Sequence, residues 1–203
     1  MKRSSFLCIL IVIIVSLPVF MACGNYGKSS DSDDSTKVDT LLAYFQKIDS
    51  MQNCGALIHV DVYDIGNLGG VGIEVQNLNC QNEQLQFVNF SKRYGNSFYS
   101  EYVSSRMLPS EIKFFVSAID SISKEYNRKV NHDERYAYIT KDNIRLLAAN
   151  YNFSDNKWHS VFDVDYRKND GSVSLDEKGL QQLKKYLLQC QSKIDSIKAS
   201  NYQ

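Results

Sequence analysis

Among 203 residues there are only two prolines, one tryptophan, three histidines and ten glycines, and 23 lysines and arginines are matched by 23 aspartates and glutamates. Scarce proline and glycine exclude collagenous and low-complexity chains. The charge balance lacks the basic excess that drives nucleic-acid binding, so no nucleic acid is expected as a partner. His59, His132 and His159 show no i, i+4 pair, and neither Cys-x-x-Cys nor His-Glu-x-x-His occurs. Spacing therefore supports no metal and no cofactor. A Gly-x-Ser-x-Gly elbow is missing, so no catalytic nucleophile is singled out. The glycine-rich segment from Gly66 to Gly72 joins two strand-like runs and opens no helix, which removes the phosphate-cradle reading.

What is present begins at the N-terminus. Lys2 and Arg3 precede an unbroken apolar run from Phe6 to Val15, and Ser16-Leu17-Pro18 then leads to Phe20-Met21-Ala22-Cys23. Charge, apolar core and a small residue before a cut site are the layout of a secretory signal. Phe6 to Ala22 spans about 17 residues, short of the ~20 needed to cross a bilayer as a helix. The Ala22-Cys23 step resembles the lipobox of bacterial lipoproteins, a resemblance confined to residues 1–25. Phe20 and Met21 depart from its commoner Leu and Ala/Ser. The resemblance implies cleavage before Cys23, a diacylglyceryl thioether on its sulfur and an acylated amine. The expected partner of the lipid is a membrane, and the expected location is the cell envelope, most of all the outer membrane, facing periplasm or surface. Several acyl chains hold far more firmly than one. Removing residues 1–22 takes two basic residues and no acid, leaving 21 against 23 and a net charge of −2.

After Cys23, the stretch 24–36 carries no aliphatic side chain and cannot offset its ordering entropy. It reads as a tether with a reach of ~20 Å. Asp31, Asp33 and Asp34 lie too far from Cys23 for the acidic surface-export signal of some Gram-negative lipoproteins. Residues 37–203 then form one globular domain, large enough to bury a core without staples.

The spacing of Val38, Leu41, Phe45 and Ile48 predicts an amphipathic helix. Ile58, Val60 and Val62, and after the glycines Val71, Ile73 and Val75, alternate with polar residues as an antiparallel hairpin with these positions inward. Leu85–Phe90 and Phe98–Val103 read as further strands. Pro109 opens a helix with stripe Ile112, Phe115, Ile119, Ile122 and Tyr126. Tyr136–Thr140, Ile144–Tyr151 and Trp158–Tyr166 supply three strands, and Ser174 with Glu177 reads as a capping box before a helix with stripe Leu180, Leu183, Leu187, Cys190, Ile194 and Ile197. The expected class is α+β, an antiparallel sheet with helices on one face, in the order α-β4-α-β3-α. The two later stripes share their spacing, which suggests two strands-then-helix units. A sheet covered on one side leaves the other open to solvent or a partner.

With Cys8 removed and Cys23 acylated, Cys54, Cys80 and Cys190 remain, in a compartment where disulfides persist. Cys54 and Cys80 flank the open end of the first hairpin, and a bridge would close about 27 residues, worth ~3.5 kcal/mol. The alternation as read points them to opposite faces, and a bulge near Gln76-Asn77 would reconcile them. Bridged and unbridged forms both stand. Cys190 reads as a buried hydrophobe.

Three constellations bear on chemistry. Asp163–Gly171 glances toward a calcium loop but has Arg167 at the third position when Asp165 is first, and Asp170 where glycine is needed. His59, Asp61 and Glu74 share the outward face of the hairpin on this reading, as solvated side chains or as an acid/base cluster. Thirteen tyrosines, including Tyr63, Tyr94, Tyr99, Tyr102, Tyr136, Tyr138 and Tyr151 on or beside strands, supply core or an aromatic face for a protein or glycan partner. The expected function is a membrane-tethered accessory or binding lipoprotein. The alternatives are an envelope hydrolase with a site assembled from scattered residues, or an inhibitor or immunity-type protein acting through a protruding hairpin at Asn67-Leu68.

Overall fold

The computed structural model describes residues 43–200 apart from 45, 52–54, 56, 81–82, 96–99, 152–156 and 169–170. Val38, Leu41, Phe45, Tyr99 and Cys54 lie outside the described residues, as do Cys23 and the tether. The fold is α+β. A helix α1 (residues 43–51) precedes β1 (His59–Leu68), β2 (Val71–Cys80), β3 (Glu83–Gly95), β4 (Ser100–Met107) and α2 (Pro109–Glu125). Then follow β5 (Glu134–Ile139), β6 (Arg145–Asn150), β7 (Trp158–Asp163), β8 (Ser172–Leu175) and α3 (Glu177–Ser200). The strands form two antiparallel meanders, β1-β2-β3-β4 and β5-β6-β7-β8. The two strands-then-helix units are thus each four strands followed by a helix, in two sheets. No described helix is long and apolar enough to cross a membrane.

The second unit holds one strand more than the sequence reading allows. Ser172–Leu175 pairs with Ser160–Asp163, and Ser174 lies within this strand, not at a helix cap. Asp176 caps α3 in its place: its Oδ1 accepts from the Gly179 N–H at 2.7 Å, one of the donors a helix start leaves orphaned.

A single core joins both units. All six stripe residues of α3 are buried, as are Ile112, Phe115, Ile119 and Ile122 of α2, in one cluster with Val75, Val88 and Phe90 of the first sheet and Leu146 and Phe162 of the second. Phe162 is the junction, its ring centroid 5.4 Å from Phe90 and 6.1 Å from Phe115.

The first hairpin departs from the expected facing. Val60 pairs with Leu78 and Val62 with Gln76, and both valines are exposed. Tyr63, opposite Val75, turns to the core instead. The bulge lies in β1 between Asp64 and Gly66, not near Gln76-Asn77. One extra residue there flips the alternation, which is why Leu68 is buried beyond it while Val60 and Val62 are exposed before it. The tip is exposed on one side and rests against β8 on the other. Gly69 and Gly70, at φ +57° and +87°, make the two-residue turn that needs left-handed backbone at both positions, and a Cβ on Gly69 would stand 2.5 Å from Val173 Cγ1 of β8.

Helices α2 and α3 occupy the core face shared by the two sheets. α1 lies on the opposite face of the first sheet, where Ile48 and Met51 cover Leu78, Leu85 and Phe87. Because β4 pairs with β3 only from Val88 onward, the backbone of Gln86 has no described strand on that side. The Tyr44 hydroxyl takes its place, donating to Gln86 O at 2.8 Å and accepting from Gln86 N at 3.1 Å.

Candidate functional site: a polar cleft on the open face of the first sheet

Beyond α1, no other described element covers the outer face of the first sheet. Alternation in β2, β3 and β4 puts Glu74, Gln76, Asn89, Ser91, Tyr102, Ser104 and Arg106 on that face. A cleft of about 440 Å³ lies there, with Asp49 of α1 on one wall, Gln76, Asn89, Ser104 and Arg106 on the floor, and Asp142 of the β5–β6 turn opposite. Both units and α1 therefore contribute to one concavity, the usual setting of a ligand site.

Arg106 is its centre. Its Nη1 lies 2.9 Å from Asp49 Oδ1 and its Nε 3.6 Å from Asp142 Oδ2, while its backbone N–H donates to Asp142 Oδ2 at 2.7 Å. The guanidinium side chain is 23% exposed. Beside it, the Gln76 and Asn89 amides both donate to Glu74 Oε2, at 3.2 and 3.4 Å. These are planar groups with donors and acceptors in fixed forks.

Asp142 is held in place by a carboxylate below it. Buried Glu111, in the first turn of α2, accepts from Leu108 N–H at 3.0 Å and from Lys141 N–H at 3.1 Å. It thereby completes the start of α2 and fastens the β5–β6 turn of the other unit to it. Burial pushes the Glu111 carboxyl above the usual glutamate range, against these two hydrogen bonds, which pull it down.

The expected acid/base cluster is only half assembled. His59 Nε2 lies 2.9 Å from Asp61 Oδ1, and Asp61 Oδ2 accepts from Asn77 and Asn79 at 3.0 and 3.1 Å. Asn77 in turn accepts from buried Gln86. The Asn77 hydrogen bond, with help from His59 and against burial, holds the Asp61 carboxyl below its usual range. Glu74 faces the other side of the sheet, since Asp61 pairs with Asn77 while Glu74 pairs with Asp64. His159 is exposed and lines a separate cleft with Tyr126, Ser160 and Asp176. His132 is exposed near Glu134. Among the described residues, no three His, Cys, Asp or Glu side chains stand together to hold a metal ion. Asp163 is paired with Arg145 at 2.6 Å and Asp165 with Arg167 at 3.1 Å, so these two acids of the calcium-like stretch serve as ion-pair partners, and Asp170 lies outside the described residues.

The tyrosines divide between faces. Tyr63, Tyr94 and Tyr138 pack against the core, Tyr136 stacks on Trp158 at 5.5 Å, and Arg135 lies over Tyr151. Tyr102 is 65% exposed on the outer face, with the Arg93 guanidinium 5.9 Å from its ring centre. Cys80 is buried at the end of β2, and its proposed bridging partner Cys54 lies outside the described residues. Cys190 is buried within α3, where burial pushes its thiol up to about 12.

No family model, curated protein or solved structure matches the chain. The reading of function therefore starts from the cleft.

Proposed function

We propose that this chain is a lipid-anchored binding protein of the bacterial cell envelope, held through Cys23 at the outer membrane, with the open outer face of the first sheet as its recognition surface. The observation that carries it is the cleft around Arg106. Polar side chains from α1, from β2, β3 and β4 of the first sheet and from the β5–β6 turn converge there, and Tyr102 is exposed on the same face. A tether over residues 24–36, as their composition leads one to expect, would let that face meet a partner while the lipid keeps the domain at the membrane. Benzoylphenylalanine placed at Ser104 and, separately, at Lys185 on α3 tests this in living cells. The reading expects a light-dependent adduct from position 104 and none from 185. Adducts from 185 alone, or from neither, contradict it.

A second reading, an envelope hydrolase, draws on the His59–Asp61 pair. Asp61 accepts from Nε2 of the ring, which leaves Nδ1 as a base toward solvent. It requires that His59→Ala abolish turnover of p-nitrophenyl acetate by the purified protein. Unchanged turnover, or none in the wild type, removes it.

A further inference from the structure

The cleft is built for a particular ligand chemistry. The charges lining it are the Arg106 guanidinium and the Asp49 and Asp142 carboxylates, with Glu74 behind the Asn89 amide and the Arg93 guanidinium over Tyr102 at the far end of the same face. An anion entering it meets an excess of like charge and a guanidinium already engaged by two acids, so phosphates, sulfates and acidic glycans are disfavoured. An apolar ligand finds little to bury against, because Phe87, which lines the floor, is itself 1% exposed and covered by α1. The pocket is also poor for a protein partner, whose affinity rests on apolar anchors buried in fitted holes.

What the cleft does offer is a set of planar forks: the guanidinium of Arg106, the carboxylate of Asp142 and the amides of Asn89 and Gln76. Each fork spaces two polar atoms so that they can meet two neighbouring hydroxyls at once: the guanidinium donates to both, the carboxylate accepts from both, and each amide donates to one and accepts from the other. Along β4, Tyr102, Ser104 and Arg106 share one face, and at ~3.4 Å per residue the Tyr102 and Arg106 side chains leave the strand ~14 Å apart. A short oligosaccharide covers that length. An exposed tyrosine ring at one end suits the apolar face of a sugar, and hydrogen-bonding forks suit its rim.

We propose that the strip from Tyr102 to the Arg106–Asp142 pair binds a neutral glycan, with its hydroxyls held by Arg106, Asp142, Asn89 and Gln76 and one sugar ring laid on Tyr102. This rests on the binding reading above and names its ligand. The test uses the full chain in detergent on an array of neutral oligosaccharides (oligomers of glucose in α and β linkage, of xylose and of N-acetylglucosamine) beside sulfated and uronic-acid counterparts. Retention of at least one neutral series is expected, with binding weakened tenfold or more by Tyr102→Ala and by Asn89→Ala at an unchanged melting temperature, and unaffected by Lys185→Ala. Tyr102 is solvent-exposed, so its replacement keeps the test open even where Asn89→Ala disturbs folding. Retention of anionic glycans alone, or neutral binding indifferent to Tyr102→Ala, overturns the proposal. No retained glycan together with a protein adduct from Ser104 overturns the glycan and leaves the binding surface standing. No glycan and no adduct overturn both.

Discussion

Replacing Phe162 by alanine removes the ring at which both sheets and α2 meet. Phe162 is fully buried, with Phe90 of the first sheet and Phe115 of α2 as its aromatic neighbours. Truncating such a phenylalanine costs about 3–5 kcal/mol, of which each lost aromatic pair accounts for ~0.5–1.5 kcal/mol. Whole domains are stable by only ~5–15 kcal/mol, so the variant loses a large share. At ~2–4 °C per kcal/mol for a chain of this size, the midpoint falls by roughly 6–20 °C. Urea unfolding followed by two probes gives the sharper test. Trp158, the only tryptophan, lies on β7 and reports the second sheet, whereas far-UV circular dichroism reports both. Because one core cluster includes both sheets, the two curves should coincide in wild type and shift together in Phe162→Ala. If fluorescence shifts while dichroism retains a component at the wild-type midpoint, or if the loss is below ~1 kcal/mol, the single-core reasoning is refuted.

Two further substitutions probe the supports of the cleft and the hairpin. Glu111→Ala leaves the Leu108 and Lys141 N–H groups without their acceptor and should cost about 2–4 kcal/mol by thermal or urea melts. A neutral outcome would mean that the two donors find other partners. Since burial raises the Glu111 carboxyl in the folded state, the native protein holds that proton more tightly than the unfolded chain. Glu111 then contributes most below the ordinary glutamate range, and the contribution fades as pH rises through the folded value. Wild type should gain stability relative to Glu111→Gln as pH is lowered from 7 toward 4, and the opposite slope contradicts the assignment. Gly69→Ala meets both a left-handed backbone and the Val173 methyl, whereas Gly70→Ala meets only the backbone. The first should cost about 1–2 kcal/mol more than the second in urea melts, and Val173→Ala should recover part of the difference in a double-mutant cycle. Equal losses would show that the tip does not press on β8.

The helices were the most legible part of the chain. In α2 and α3 the apolar residues at 3.6-residue spacing pack where the spacing says, and the α3 stripe is buried without exception. Strand facing was less legible, because β-branched residues suit either side of a sheet. Val60 and Val62 carried the apolar alternation of β1, yet the bulge between Asp64 and Gly66 gave the core to Tyr63 and Leu68. β8 leaves little trace in the sequence, because four residues with two serines carry almost no period, and a serine before a helix mimics a cap. The cleft was visible only in fragments. Asn89, Ser91, Ser104 and Arg106 alternate as an outward polar row, but nothing local ties Arg106 to Asp49 or Asp142, which lie far from it in sequence and are delivered by α1 and by the turn that Glu111 fastens. His59 and Asp61 were found together by their i, i+2 spacing, whereas Glu74 depended on a register that the bulge altered.

A binding face tethered at the envelope requires the tether itself, so the mass of the N-terminal peptide from protein purified out of native membranes is the most direct measurement. The account predicts a chain that starts at Cys23 with a diacylglyceryl group in thioether linkage and an acylated amine, and a Cys23→Ala variant that stays uncleaved and takes up no fatty-acid label. A mature chain that starts with an unmodified thiol, or equal labelling of wild type and variant, would contradict it.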